Sequence, residues 1–171
     1  HSLIKLLSLH APMRFTLVAP PGLEMPGHLL DLVASRGHRI EQRDSLARDY
    51  SDVDVVYTTR IQKERFTAEM SEGFSLSRDF TVDRAFLDSR CTPSTIVMHP
   101  LPRDSRPEAN DLDVDLNGDP RLAIFRQTDN GIPVRMAIFA TLLGIEELVD
   151  QNLRDVPWFV PDRLGVDDAT F

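Results

Sequence analysis

Thr95-Ile96-Val97-Met98-His99-Pro100-Leu101-Pro102-Arg103 is an apolar run that ends abruptly in a stiff, polar loop. The same grammar occurs upstream, where Val53-Asp54-Val55-Val56-Tyr57 runs into Thr59-Arg60-Ile61-Gln62-Lys63-Glu64-Arg65. Short apolar runs of this kind read as buried strands. Two specific loops at the ends of two strands point to one site built from both, because open α/β sheets bind ligands at the carboxyl ends of their strands.

Outward from these loops, strands and helices alternate. Leu3 to Leu9 gives a short helical pattern, and Arg14 to Ala19 a strand closed by Pro20-Pro21-Gly22. A helix follows from about Pro26 to Arg36, with Leu29, Leu30, Val33 and Ala34 as its buried face and Gly37 as its C-terminal stop. His38 to Gln42 is a second strand, Val53 to Thr58 a third and Thr95 to Met98 a fourth. Residues 66–93 predict short helices and a mobile loop. A last helix starts near Asp129-Asn130-Gly131, with a stripe of Val134, Ile138, Leu142 and Ile145. This order predicts an α/β fold, a doubly wound domain whose mainly parallel sheet is flanked by helices.

The chain has 171 residues, 42% of them hydrophobic, and fits one globular domain with its own core. No apolar run approaches the roughly 20 residues that span a bilayer. No basic leader with an apolar segment is visible. A formal net charge of −8 disfavours nucleic acid and anionic membrane surfaces as partners, because phosphate binding needs clustered cations. It does not disfavour small anionic substrates, which meet only the local site. Cys91 is the single cysteine, which rules out an internal disulfide and is compatible with a reducing cytoplasm. The five histidines show no metal spacing, and no cofactor is expected. Asp113-Val114-Asp115-Leu116-Asn117-Gly118 imitates the start of a calcium loop. Its twelfth position is Ile124, where a bidentate Glu is required, and the segment reads as a solvated acidic loop.

The two loops resemble those of the aspartate carbamoyltransferase family, which carries Thr-Arg-x-Gln-x-Glu-Arg and His-Pro-Leu-Pro-Arg in its second domain. Phe125-Arg126-Gln127-Thr128-Asp129-Asn130-Gly131, followed by Arg135-Met136-Ala137, is a third match. His1-Ser2-Leu3, like the end of a Gly-Arg-Thr-x-His-Ser-Leu motif, is a fourth. The resemblance spans residues 1 to about 144. With no initiator Met and a half-motif at His1, the sequence is expected to begin mid-protein. Residues 1–149 then correspond to the aspartate-binding domain, the N-terminal carbamoyl-phosphate domain is missing, and 150–171 form a loosely packed C-terminal extension.

The resemblance implies transfer of the carbamoyl group of carbamoyl phosphate to the amine of L-aspartate, in pyrimidine synthesis. Arg60 and Gln62 would bind aspartate, with Glu64 orienting Arg60. The Leu101 and Pro102 carbonyls would face carbamoyl phosphate, across a cis Leu101–Pro102 bond. No residue of this chain is expected to act as the catalytic group itself, so the chain alone is expected to be inactive. The family forms homotrimers, in some members with regulatory chains. By residue chemistry alone, Thr59 to Arg65 is also a solvated charged loop with internal ion pairs. His99 invites a general-base role, but its neighbours Met98 and Pro100 favour a structural hydrogen bond. An ornithine-type enzyme is an alternative, though that subfamily usually has Cys-Leu-Pro at this loop. A non-catalytic homologue acting as an assembly or regulatory subunit is another.

Overall fold

The computed structural model describes residues 1–61, 80–104, 106–107 and 109–151, apart from the side chain of Asp150. It opens with α1 (Ser2–Leu7), which buries Ile4. Next, β1 (Arg14–Val18), α2 (Gly27–Ser35) and β2 (Arg39–Arg43) form a βαβ unit. The two strands pair in parallel from Arg14 against Arg39 to Val18 against Arg43. Leu29 and Val33, four residues apart, are the buried face of α2, as their helical spacing requires. Ala34, expected beside them, is exposed, because the buried stripe is narrower than the apolar one. Gly37 lies just past the helix at φ +85°, a left-handed backbone that glycine adopts without steric cost.

A second parallel pair joins β3 (Val55–Tyr57) to β4 (Ile96–Met98), with Val55 against Ile96 and Tyr57 against Met98. Between them lies α3 (Arg84–Arg90), capped by Asp83, whose carboxylate accepts the Phe86 N–H at 2.7 Å. On its other side β4 is flanked by Leu122. The Val97 N–H donates to the Arg121 carbonyl at 2.7 Å, and the Ala123 N–H returns to Val97 at 2.9 Å. Among the described residues the two strand pairs are not hydrogen-bonded to each other. They share one core, in which Val18 of β1 and Val56 of β3 pack against Tyr50, Phe86, Leu87, Val97, Leu112, Leu116, Leu122 and Ile124. The α/β class with parallel strands is therefore as expected. Burial is less complete than the apolar runs imply: Val97 is sealed, but Val55 is 46% exposed.

Asp113 to Gly118 is mostly solvated, as the sequence predicts, except at Leu116, but buried residues flank it on both sides. Leu112 and Leu116 are fully buried, and Asp111 and Asp119 are buried with them. The carboxylates enter the interior because each is bonded. Asp119 accepts from the Arg121 guanidinium at 2.9 and 2.7 Å and pairs with Arg84 at 3.2 Å. Arg121 in turn reaches Asp88 on α3 at 2.6 Å. The Arg121 hydrogen bonds hold the Asp119 carboxyl below the usual carboxylate range. A polar composition hid two core leucines, because the charges beside them neutralise one another.

The chain continues as α4 (Ile124–Asp129), α5 (Gly131–Leu143) and α6 (Glu146–Gln151). Helix α4 was not expected: its N-cap is Ala123, which supplies no capping side chain to announce it. Gly144, at φ +64°, ends α5. Its apolar residues predict one side of α5 packed on this domain's sheet and the other, which would cover a missing domain, left facing water. Instead Ala140 is its one buried residue, while Ile132, Val134, Met136, Ile138, Phe139, Leu142 and Leu143 are all more than half exposed. Apolar residues occupy most of the helix circumference, interrupted by Arg135 and Thr141, so one contact face could not cover them all. Helix α6 runs across residues 149 and 150, and residues 152–171 lie outside the described residues.

Candidate functional site

Pairing of β3 with β4 decides where the two signature loops go. The strands are parallel neighbours, and the Thr58 N–H donates to the Met98 carbonyl at 3.1 Å just beyond the ladder. Thr59-Arg60 and His99 to Arg103 therefore leave the same edge of the sheet side by side. Arg60 is half-buried there. Its guanidinium is among the cations that depress Asp104, at the far end of the second loop. The main cause of that shift is Arg106, whose Nε donates to the Asp104 carboxylate at 2.9 Å. Together they hold Asp104 down at about 2. Gln62 and Glu64 lie outside the described residues.

The second loop is held rigidly. Its Leu101–Pro102 bond is cis, and Leu101 has φ +55°. A leucine in the left-handed region is disfavoured by on the order of 1–2 kcal/mol and persists only where its surroundings fix it. Leu101 is half-buried against the core, and Pro102 is exposed at the tip. Neither Pro100 nor Pro102 has a backbone N–H to donate. Arg103 turns back to the protein, donating to the Asn117 side chain at 2.6 Å and the Asp113 carbonyl at 3.3 Å.

His99 is 1% exposed. Its Nε2 lies 2.7 Å from the Asp111 carboxylate, and its Nδ1 accepts the Leu101 N–H at 2.8 Å. Its own backbone N–H donates to Oε1 of Gln127, at 3.0 Å. Both ring nitrogens are committed, as the structural reading of this residue expects. Two residues of this arrangement were not picked out from the sequence. Gln127 sat inside the third matching segment and could have been flagged. Asp111 carried no local signal, being one acid in a run of acids.

A separate cleft of about 550 Å³ lies at the carboxyl ends of β1 and β2, bordered by Leu17, Glu24, Met25, Glu41, Arg43 and Arg48. Its Arg43 is already engaged by Glu41, at 2.8 and 3.1 Å, and lies 4.8 Å over the Tyr50 ring. Among the described residues no group of three or more His, Cys, Asp or Glu side chains could hold a metal. No described helix is long and apolar enough to cross a membrane. Burial pushes the Cys91 thiol up, away from the thiolate form.

Comparison with known proteins gives a consistent answer. Residues 1–142 match the family model described as Aspartate/ornithine carbamoyltransferase, Asp/Orn binding domain. The aspartate carbamoyltransferase catalytic subunit of Saccharophagus degradans is 48% identical over 159 residues, covering 93% of this chain and 47% of that protein. That of Dichelobacter nodosus is 46% identical over 172 residues, covering 100% and 49%. Among solved structures, the catalytic subunit of M. jannaschii aspartate transcarbamoylase superposes with a TM-score of 0.70 at 32% identity, covering 86% of this chain and 45% of that one. The Trypanosoma cruzi enzyme in complex with carbamoyl phosphate and aspartate gives 0.68 at 39% identity, covering 81% and 44%. The chain thus spans about half the length of the curated relatives it matches.

Proposed function

We propose that this chain, which belongs to the aspartate/ornithine carbamoyltransferase family on its Asp/Orn binding domain, is the aspartate-binding half of an aspartate carbamoyltransferase. The observation that carries the reading is the adjacency of the Arg60 loop and the cis-proline loop at the ends of β3 and β4. Residues 1–149 form the domain, and 150–171 are an extension of it. A carbamoyl-phosphate domain completes the site, the parent is a cytoplasmic homotrimer, in some settings with regulatory chains, and no cofactor takes part.

The chemistry joins two anions. The aspartate amine attacks the carbamoyl carbon, a C–N bond forms, the C–O bond to phosphate breaks, and the amine gives up a proton. Arg60 meets an aspartate carboxylate with a planar, bidentate donor pair. Gln62 adds an amide contact, and Glu64 orients Arg60. The Leu101 and Pro102 carbonyls accept from the carbamoyl amide and the attacking amine, fixing both reactants in line for attack. The phosphate-binding groups belong to the other domain. Every curated relative named above is an aspartate enzyme, which supports aspartate over ornithine as the acceptor.

A product assay tests this. The chain alone should form no carbamoyl aspartate, and joining it to a carbamoyl-phosphate domain, fused or in trans, should give turnover with aspartate and none with ornithine. Turnover by the chain alone, or a preference for ornithine, would overturn the reading.

A further inference from the structure

We propose that Asp111 is a positioning residue for the reaction, because its single carboxylate holds both ends of the Leu101–Pro102 loop. One oxygen, Oδ2, is 2.7 Å from Nε2 of His99. The other, Oδ1, accepts the Asp104 N–H at 2.9 Å. Asp111 is itself anchored, since its carbonyl accepts the Val82 N–H at 3.1 Å and its N–H donates to the Asp104 carbonyl at 3.3 Å. The segment from His99 to Asp104 is thereby clamped to one side chain beneath it.

The clamp reaches Leu101 through a tautomer. Nδ1 of His99 accepts the Leu101 N–H, so in the neutral ring the proton sits on Nε2 and is donated to Asp111. His99 and Asp111 are 1% and 2% exposed, so water does not substitute for a lost partner. The Leu101 N–H bond is the contact that fixes a residue held at φ +55°. Losing it would free the carbonyls that face the reactants.

A carboxylate is required here, and an amide of the same shape would fail. Both partners of Asp111 donate, and asparagine has one acceptor oxygen. Turned toward Asp104, that oxygen leaves the amide donating to Nε2. The ring must then carry its proton on Nδ1, where it collides with the Leu101 N–H. Turned toward His99, it leaves an amide donor against the Asp104 N–H. Either orientation releases one end of the loop.

The positional claim is tested on this chain, and the chemical one, which rests on the function proposed above, in the assembled two-domain enzyme. Nitrogen-15 ring shifts of the unmodified chain should show the proton of His99 on Nε2. In Asp111→Asn they should show it on Nδ1, or the Asp104 amide should lose its protection from hydrogen exchange. A proton on Nδ1 in the unmodified chain overturns the inference without any variant. So does an Asp111→Asn chain with Nε2 still protonated and both amides still protected. In the assembled enzyme, kcat per folded site should fall roughly tenfold to a hundredfold, with KM for aspartate nearly unchanged. An active parent whose kcat survives Asp111→Asn overturns this inference alone. A parent with no carbamoyl transfer overturns the functional reading, and the chemical role of Asp111 with it, while the ring shifts still decide the clamp.

Discussion

Thr58 donates its backbone N–H to the carbonyl of Met98, 3.1 Å away, and this bond is the last tie between β3 and β4 before their loops diverge. Arg60 and Leu101 then follow, two and three residues beyond the tied pair. A parallel ladder is what makes this possible, because parallel neighbours deliver their carboxyl ends to the same edge. In an antiparallel pair the two loops would lie at opposite ends of the sheet.

Arg60→Ala in the assembled enzyme should remove a charged contact to aspartate. The expected loss of transition-state stabilisation is on the order of 3 kcal/mol, roughly a hundredfold in kcat/KM for aspartate. Folding should change little, since Arg60 lies at the loop edge and outside the apolar core. Steady-state kinetics with aspartate as the varied substrate checks this, and normal kinetics would remove Arg60 from the site.

Leu116→Ala should destabilise the chain by about 2–5 kcal/mol, the usual range for a fully buried leucine. Asp115→Ala, at an exposed position on the same turn, should cost less. Urea unfolding of the two variants decides whether residues 111–119 belong to the core. Equal, small effects would return them to solvent.

Asp104 links stability to acid. Its folded pKa of about 2 lies below the ordinary carboxylate value, so the ionised form stabilises the fold. That contribution is complete above about pH 4 and is lost as pH falls through about 2. The Arg106 side chain is 64% exposed, so screening limits the pair to on the order of 1 kcal/mol or less. The stability gap between the unmodified chain and Arg106→Ala should therefore narrow across this window, and narrow also in high salt. A gap independent of pH would show that the pair does not set the Asp104 ionisation.

The exposed faces of α5 predict association. Phe139, Leu142 and Leu143 are 64%, 76% and 68% exposed, and Leu6 of α1 adds 58%. Apolar patches of this kind drive self-association in water. Light scattering should show the isolated chain forming higher-mass species with rising concentration, and the two-domain enzyme forming one defined oligomer. A chain that stays monomeric and binds no hydrophobic dye would mean these faces are covered.

The sequence by itself determined the local elements of this protein. Helical spacing marked Leu29 and Val33, apolar runs marked β3 and β4, Gly37 marked a helix stop, and two motifs marked the loops that hold Arg60, Leu101 and Pro102. Those signals lie within one element or one loop, where residue spacing maps directly onto geometry. Tertiary structure alone decided which distant residues meet. His99 finds Asp111 twelve positions away, Val97 finds Arg121, and Leu112 and Leu116 sink among charges that pair with one another. Helix α5, whose pattern promised a buried stripe, is left largely uncovered. The physical reason is common to all of these. Hydrogen-bond satisfaction and burial depend on what the topology brings alongside, and a one-dimensional pattern records only what a residue could bury or bond, never against what.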